Sequence, residues 1–337
     1  MYTENNLNLN YIKIWLILIF ILLSLMIFIG GMTRLTDSGL SITEWELFRG
    51  FFPPLTVQSW NNYFDLYKEI PEFKNQNYNM SLDEFKIIFW WEWAHRFLGR
   101  LIGLFYLFPF LYFFKKMGII VFRKYFYIFI FICLQGFIGW YMVTSGLVDR
   151  TDVSQYRLAL HLFLAFVILS CIYWEILNSN KNIHSNSNYF ISLPMFFLIL
   201  LFIQIILGAF VSGMDAGLIY NTWPLMGSSF FPDDSLIIDL FTINIFNDPS
   251  LMQFMHRISA YVIFLLYLYI LFRYLNTKNK KIILTILVIG IFLLFQIILG
   301  IFTVLSGAKI LYASLHQINS ILLICSSIYF LYLRKNI

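Results

Sequence analysis

The chain has 337 residues, of which 60% are hydrophobic, 20% aromatic and only 12% charged, where a soluble domain carries about 25% charged residues. With a mean hydropathy of +0.76 a soluble globular fold is excluded, and the length is better divided by the ~20 apolar residues that one membrane span consumes. The formal charge of +5 comes from Lys and Arg scattered between apolar runs, a pattern that excludes nucleic acid as a partner. Cys133, Cys171 and Cys325 all lie inside apolar runs and offer neither a disulfide framework nor a CxxC metal spacing.

In chain order, the opening MYTENNLNLNYIK contains Glu4 and lacks the Arg-rich, acid-poor character of a mitochondrial transit peptide, which points to a bacterial inner membrane. Apolar runs follow at 14–31, 93–114, 126–143, 158–176, 191–211, 251–275, 282–305 and 310–333. Each is long enough for a helical span, and too long and continuous for the alternating strands of a membrane barrel. The expected fold is an all-α integral membrane protein with eight spans in two four-helix bundles, the halves being 1–180 and 181–337. Lys13, Lys115, Lys116, Arg123, Lys124, Lys181, Arg273, Lys278, Lys280, Lys281, Arg334 and Lys335 fall on one side of these spans. Nearly all acids, including Asp37, Glu44, Asp83, Glu84, Asp149, Asp152, Asp233, Asp234 and Asp248, fall on the other. The basic side is predicted to be cytoplasmic, with both termini inside. Two long outer segments, 32–91 and 213–250, have the length of functional loops.

The halves repeat one another. His95-Arg96 and His256-Arg257 each open an inward-running span; Gln135-x-x-x-Gly139 and Gln296-x-x-x-Gly300 follow at equal offsets, each leading to Ser-Gly, and His161 and His316 come next. Asp37-x-Gly39-Leu40 with Trp45 corresponds to Asp215-x-Gly217-Leu218 with Trp223. An even number of spans per repeat preserves orientation, so corresponding histidines should lie at one depth. All four are expected in the first two turns of their helices, about 10 Å or less below the outer surface. The fifth, His184, sits in a polar loop and reads as a solvated surface residue.

A lone histidine near an interface is often a hydrogen-bonded anchor, but four in a duplicated pattern are candidate ligands. One imidazole from each of two neighbouring helices suits axial ligation of haem iron. A bare metal ion would need further Asp, Glu or Cys ligands that the pattern does not repeat. Arg96 and Arg257 are candidate partners for propionates, with snorkelling to lipid headgroups as the alternative for Arg257. Arg100 lies a turn deeper, beside Gly99-x-x-x-Gly103, a spacing that lets a porphyrin or a helix approach closely. Gln135 and Gln296 are expected to bond between helices. The halves differ at Glu92, three residues before His95, where the second half has Gln253. A carboxylate there shares the face of His95; the alternative is a first-turn Glu favoured by the helix dipole. The Trp90-Trp91-Glu92-Trp93 flank also fits an interfacial aromatic belt.

The strings GGMTRLTDSGLSITEW, WWEWAHRFLGRLIG, QGFIGWYMVTSGL and NTWPLMG, within eight spans in two halves, resemble haem A synthase over essentially the whole chain. The resemblance implies an oxidoreductase that converts a methyl group of haem O to the formyl group of haem A through two successive hydroxylations. It implies that His256 and His316 hold a permanent haem b in the second half, that His95 and His161 frame the haem O substrate in the first, and that Glu92 is catalytic. Family members often associate with themselves and with haem O synthase. Some carry a cysteine pair in the first outer loop; 32–91 has none, so the chain resembles the subgroup without it. A dihaem b-type electron-transfer protein is the alternative, and the difference between Glu92 and Gln253 argues against it.

Overall fold

The computed structural model describes residues 2–148, 150–179 and 192–335. Asp149, Lys181 and His184 lie outside the described residues. The described chain has α-helices and no strand, with one isolated bridge between Met226 and Ser229. Eight helices are long and apolar enough to cross a membrane: α1 (Tyr2–Leu35), α4 (Leu82–Met117), α5 (Ile119–Gly146), α6 (Gln155–Asn178), α7 (Leu193–Gly213), α8 (Pro249–Tyr274), α9 (Lys280–Leu305) and α10 (Ile310–Lys335). The protein is thus a multi-pass membrane protein, since runs of this length can satisfy their backbone in hydrocarbon only as helices. Two further helices, α2 (Val57–Lys68) and α3 (Pro71–Asn75), belong to the segment between the first two spans.

The contacts divide the chain into two compact units, Met1–Leu169 and Ser170–Ile337, a boundary that falls inside α6. In the first unit α4 packs against both α1 and α5, and α2 packs on α4. In the second, α7, α8, α9 and α10 form a closed ring, each helix contacting the next and α10 returning to α7. The connection from α7 to α8 contains short 3-10 turns at Ala216–Leu218, Ile237–Phe241 and Ile243–Phe246.

One helix starts well before the expected 93. Ser81 caps α4 by accepting from the Glu84 amide, and the Glu84 carboxylate accepts from the Ser81 amide in return, the reciprocal pairing that fixes a helix start. Residues 82–92 are amphipathic, so a search for continuous apolar runs passes over them. Their apolar face, Phe85, Ile88 and Phe89, is buried with Leu40, Ile42, Phe64, Tyr67, Ile70 and Val153 in the core of a lobe built on the segment between α1 and α4. His95 consequently stands in the fourth turn of α4, whereas His161, His256 and His316 stand in the second turn of α6, α8 and α10.

The chain leaves α1 and α7 in the same way. Asp37 and Asp215 both adopt left-handed backbone, with φ of 47° and 50°, a conformation that Asp tolerates better than most residues because its short side chain bonds locally. Here Arg34 Nη1 donates to Asp37 Oδ1 at 2.7 Å.

The lobe also buries a carboxyl. Glu72 of α3 is 3% exposed and accepts from the Tyr67 hydroxyl at 3.0 Å. Burial is the main cause that pushes its pKa up to about 8, with the nearby carboxylates of Glu92, Asp152 and Asp37 adding to it. A carboxyl whose folded pKa lies above its unfolded value binds more protons folded than unfolded, so stability falls as pH rises between the ordinary carboxylate range and about 8. Protease protection of the α2–α3 lobe in the purified protein is therefore expected to weaken from pH 6 to pH 9, and Glu72→Gln is expected to remove most of that dependence. A profile identical in the two proteins would count against the assignment.

Candidate functional site

The four span histidines meet in two pairs. The rings of His95 and His161 have centroids 6.4 Å apart with planes at 57°, and those of His256 and His316 are likewise 6.4 Å apart, at 68°. Each ring lies against a glycine of another helix. A Cβ at Gly30, Gly139, Gly208 or Gly300 would stand 2.9–3.1 Å from Cε1 of His95, His161, His256 or His316 respectively. A side chain at Gly30 would force the imidazole to move, and one at Gly139, Gly208 or Gly300 would require it to give by a few tenths of an ångström. The Nδ1 atoms of all four are buried without a hydrogen-bond partner.

This arrangement fits a metal centre held by two imidazoles. Two metal–nitrogen bonds of about 2.0 Å, with each ring centre about 1.1 Å beyond its nitrogen, span about 6.2 Å. Among the described residues no group of three or more His, Cys, Asp or Glu could hold a bare ion, so a metal at either pair would need its remaining ligands from a cofactor.

Glutamines fasten three of the four sites. Gln135 Nε2 donates to the His161 carbonyl at 3.1 Å and Gln296 Nε2 to the His316 carbonyl at 3.0 Å, the interhelical role expected of both. Gln204, which the sequence reading passed over, donates to the His256 carbonyl at 3.0 Å. The available signal was a third Gln-x-x-x-Gly, Gln204 to Gly208, in α7.

Glu92 is buried, and each of its oxygens is engaged. Oε2 accepts from the Ser41 hydroxyl and the Ile42 amide, both at 2.7 Å; Oε1 accepts from Arg96 Nε at 3.0 Å and lies 2.6 Å from Arg96 Nη2. Arg96 further donates to the carbonyls of Ile42 and Glu44. One turn deeper, Arg100 donates to the carbonyls of Glu46 and Gly50 at 2.8 Å each; a Cβ on Gly50 would stand 2.6 Å from its Nη2. Ile42, Glu44, Glu46, Gly50, Tyr63, Trp93, Arg96 and Arg100 line a small recess here. Its Tyr63 hydroxyl donates to Glu46 Oε2 at 2.6 Å, and burial together with that carboxylate raises the phenol's pKa, so that it remains a donor.

In the second unit Gln253 takes the place of Glu92. It is equally buried, but its Nε2 makes one bond, to the Tyr220 carbonyl at 3.1 Å, and its Oε1 has no partner. Arg257 donates to the carbonyls of Tyr220, Thr222 and Leu225, and its Nε is buried without a partner. In this structure all three arginines thus bind backbone of the connections from α1 to α4 and from α7 to α8. Sequence reasoning identified the cations but not these partners, because the acceptors are backbone carbonyls, of Ile42, Glu44, Glu46 and Gly50 in the first unit and of Tyr220, Thr222 and Leu225 in the second, and a carbonyl carries no residue-type signal.

Comparison with known proteins bears on the whole chain. Residues 13–328 match the family model described as cytochrome oxidase assembly protein. A protein named heme A synthase from Pelagibacter ubique is 51% identical over 100% of this chain and 99% of its own length. Proteins of the same name from Rickettsia bellii and Parvibaculum lavamentivorans are 41% and 46% identical, over 96% and 74% of this chain and 98% and 74% of their own lengths. With eight apolar helices, two matched histidine pairs and full-length similarity of this degree, the chain belongs to the haem A synthase family.

Proposed function

We propose that the protein oxidises a methyl group of haem O to the formyl group of haem A by two successive hydroxylations, the resulting geminal diol losing water. The observation that carries the reading is an asymmetry: two histidine pairs share one separation, and only one has a carboxylate a turn away. In this reading His256 and His316 hold a resident haem b, and His95 and His161 frame haem O. The equal 6.4 Å spacings support both assignments. Haem when bound supplies the redox chemistry. A dihaem electron-transfer protein would have no use for a buried carboxylate at one pair alone.

The residues then divide the work. Ser41, Ile42 and Arg96 fix Glu92 in one rotamer, so its carboxylate is oriented before substrate arrives. There it can accept a proton at Oε2, where Ser41 already donates, or stabilise positive charge developing at the substrate methyl carbon. Arg100 commits two of its five N–H donors to carbonyls, leaving others for a substrate propionate beside Arg96. Arg257, with its Nε unused, has the matching role for haem b.

The cellular setting belongs to the same proposal. Inner-membrane placement with cytoplasmic termini is supported by the one-sided distribution of Lys and Arg and by the bacterial relatives. Association with haem O synthase and with further copies of the chain is supported by the family resemblance. Reporter fusions after Lys281 are expected to score cytoplasmic and those after Asp234 periplasmic; the reverse pattern would overturn the proposed orientation of each histidine pair.

Glu92→Gln tests catalysis. The variant retains size and one acceptor, and the expected result is an intact haem b spectrum with haem A formation reduced ~10²- to 10⁴-fold, haem O or its hydroxylated derivative accumulating. His256→Ala is expected to abolish the haem b spectrum itself. Because Glu92 also balances the partly buried Arg96, removing its charge is expected to loosen the lobe. Arg96→Gln in the same background would relieve that imbalance. If haem A formation returned in the double variant, or were near normal in Glu92→Gln, Glu92 would be a structural clamp only.

A further inference from the structure

The four histidine sites are not fastened alike. At His161, His256 and His316 a glutamine one turn from the cradling glycine donates to the histidine carbonyl. At His95 the cradle is Gly30, and the equivalent position is Met26, which has no donor. Met26 fills the space differently: its methyl would stand 3.1 Å from a Cβ on Gly99, one turn beyond His95 on the same face. The residues following the other three histidines at that offset are Ala165, Ala260 and Ser320. A methionine fits at this level because Gly99 has no side chain. Helices α1 and α4 do make cross-helix bonds, Thr33 Oγ1 to the Trp91 carbonyl at 3.4 Å and Trp15 Nε1 to the Phe105 carbonyl at 3.0 Å, but neither reaches the turn that carries His95.

We propose that Met26 is a positioning residue that keeps His95 the exchangeable member of the four histidines. The inference rests on the assignment of substrate to His95 and His161. A glutamine bond to the histidine carbonyl ties that turn to the helix carrying the glycine cradle, so the ring cannot withdraw without breaking it. A resident cofactor gains from such a tie at both of its ligands, and Gln204 and Gln296 provide both. A substrate must be released as product on every cycle, so one of its two ligands has to let go. The site with the missing tie belongs to the pair that must turn over.

The test uses the full-length protein in detergent, loaded with ferric protohaem and mixed with excess apomyoglobin, which captures released haem. Release is expected in a fast and a slow phase, with His95→Ala removing the fast one. Met26→Gln is expected to slow the fast phase ~3- to 10-fold, the effect of one added hydrogen bond, and to leave the slow phase alone. Met26→Leu, which packs without donating, should release as the parent does. Gln204→Met should quicken the slow phase by a similar factor and keeps the proposal testable if Met26→Gln fails to fold. A fast phase unchanged by Met26→Gln, or a slow phase unchanged by Gln204→Met, overturns the proposal. If His95→Ala leaves both phases in place, the assignment of haem to His95 and His161 fails, and this inference fails with it.

Discussion

Everything at the candidate centre depends on how closely two helices can approach at a histidine. A histidine ring packed between helices needs room on the facing helix, and a residue without Cβ provides it at these distances without moving the ring. Gly30, Gly139, Gly208 and Gly300 do so for one histidine each. The result is two ring pairs with the same 6.4 Å separation, close to the span of two imidazoles sharing one metal. The unpartnered Nδ1 atoms show that the protein accepts the cost of burying these groups, a cost usually found where a buried polar group has a function.

A second constraint orients the connections from α1 to α4 and from α7 to α8. Arg96 and Arg100 in the first unit and Arg257 in the second point their guanidinium groups at backbone carbonyls of those segments. A charge so placed replaces water with fixed dipoles and pins the loop to the helix next to the histidine. Among the described residues only the first unit adds a carboxylate beside its arginine, and Glu92 is held by Ser41 and Ile42 as well as by Arg96. The catalytic role proposed for Glu92 and its structural one therefore share one set of contacts. Prior orientation of a charged group is what electrostatic catalysis requires, and the same bonds close the lobe formed by α2, α3 and the start of α4.

Much of this was legible in the sequence, for identifiable reasons. Hydrocarbon leaves helices as the only solution for long apolar runs, so the eight spans could be read from hydropathy. The histidines could be read because polar groups in such runs are rare. The start of α4 could not, because Phe85, Ile88 and Phe89 alternate with Asp83, Glu84 and Lys86, and the pattern speaks of a lobe rather than of a bilayer. The partners of Glu92 and Arg100 were hidden because backbone amides and carbonyls carry no residue-type signal. The pairing of Asp37 with Asp215 was visible as a repeated string, and the structure gives it a physical meaning in the left-handed turn that both make. Met26 escaped notice for the opposite reason: an apolar residue in an apolar run marks nothing until the glutamines at the other three sites are seen.

The central claim is that each histidine pair closes on one iron. Electron paramagnetic resonance of the purified, haem-saturated ferric protein, with iron counted per chain, tests it most directly. The account predicts two irons per chain, both low-spin with two imidazole ligands, and loss of one low-spin signal when His95 or His161 is replaced and of the other when His256 or His316 is replaced. A single iron per chain, or a high-spin signal persisting at saturation, would contradict it.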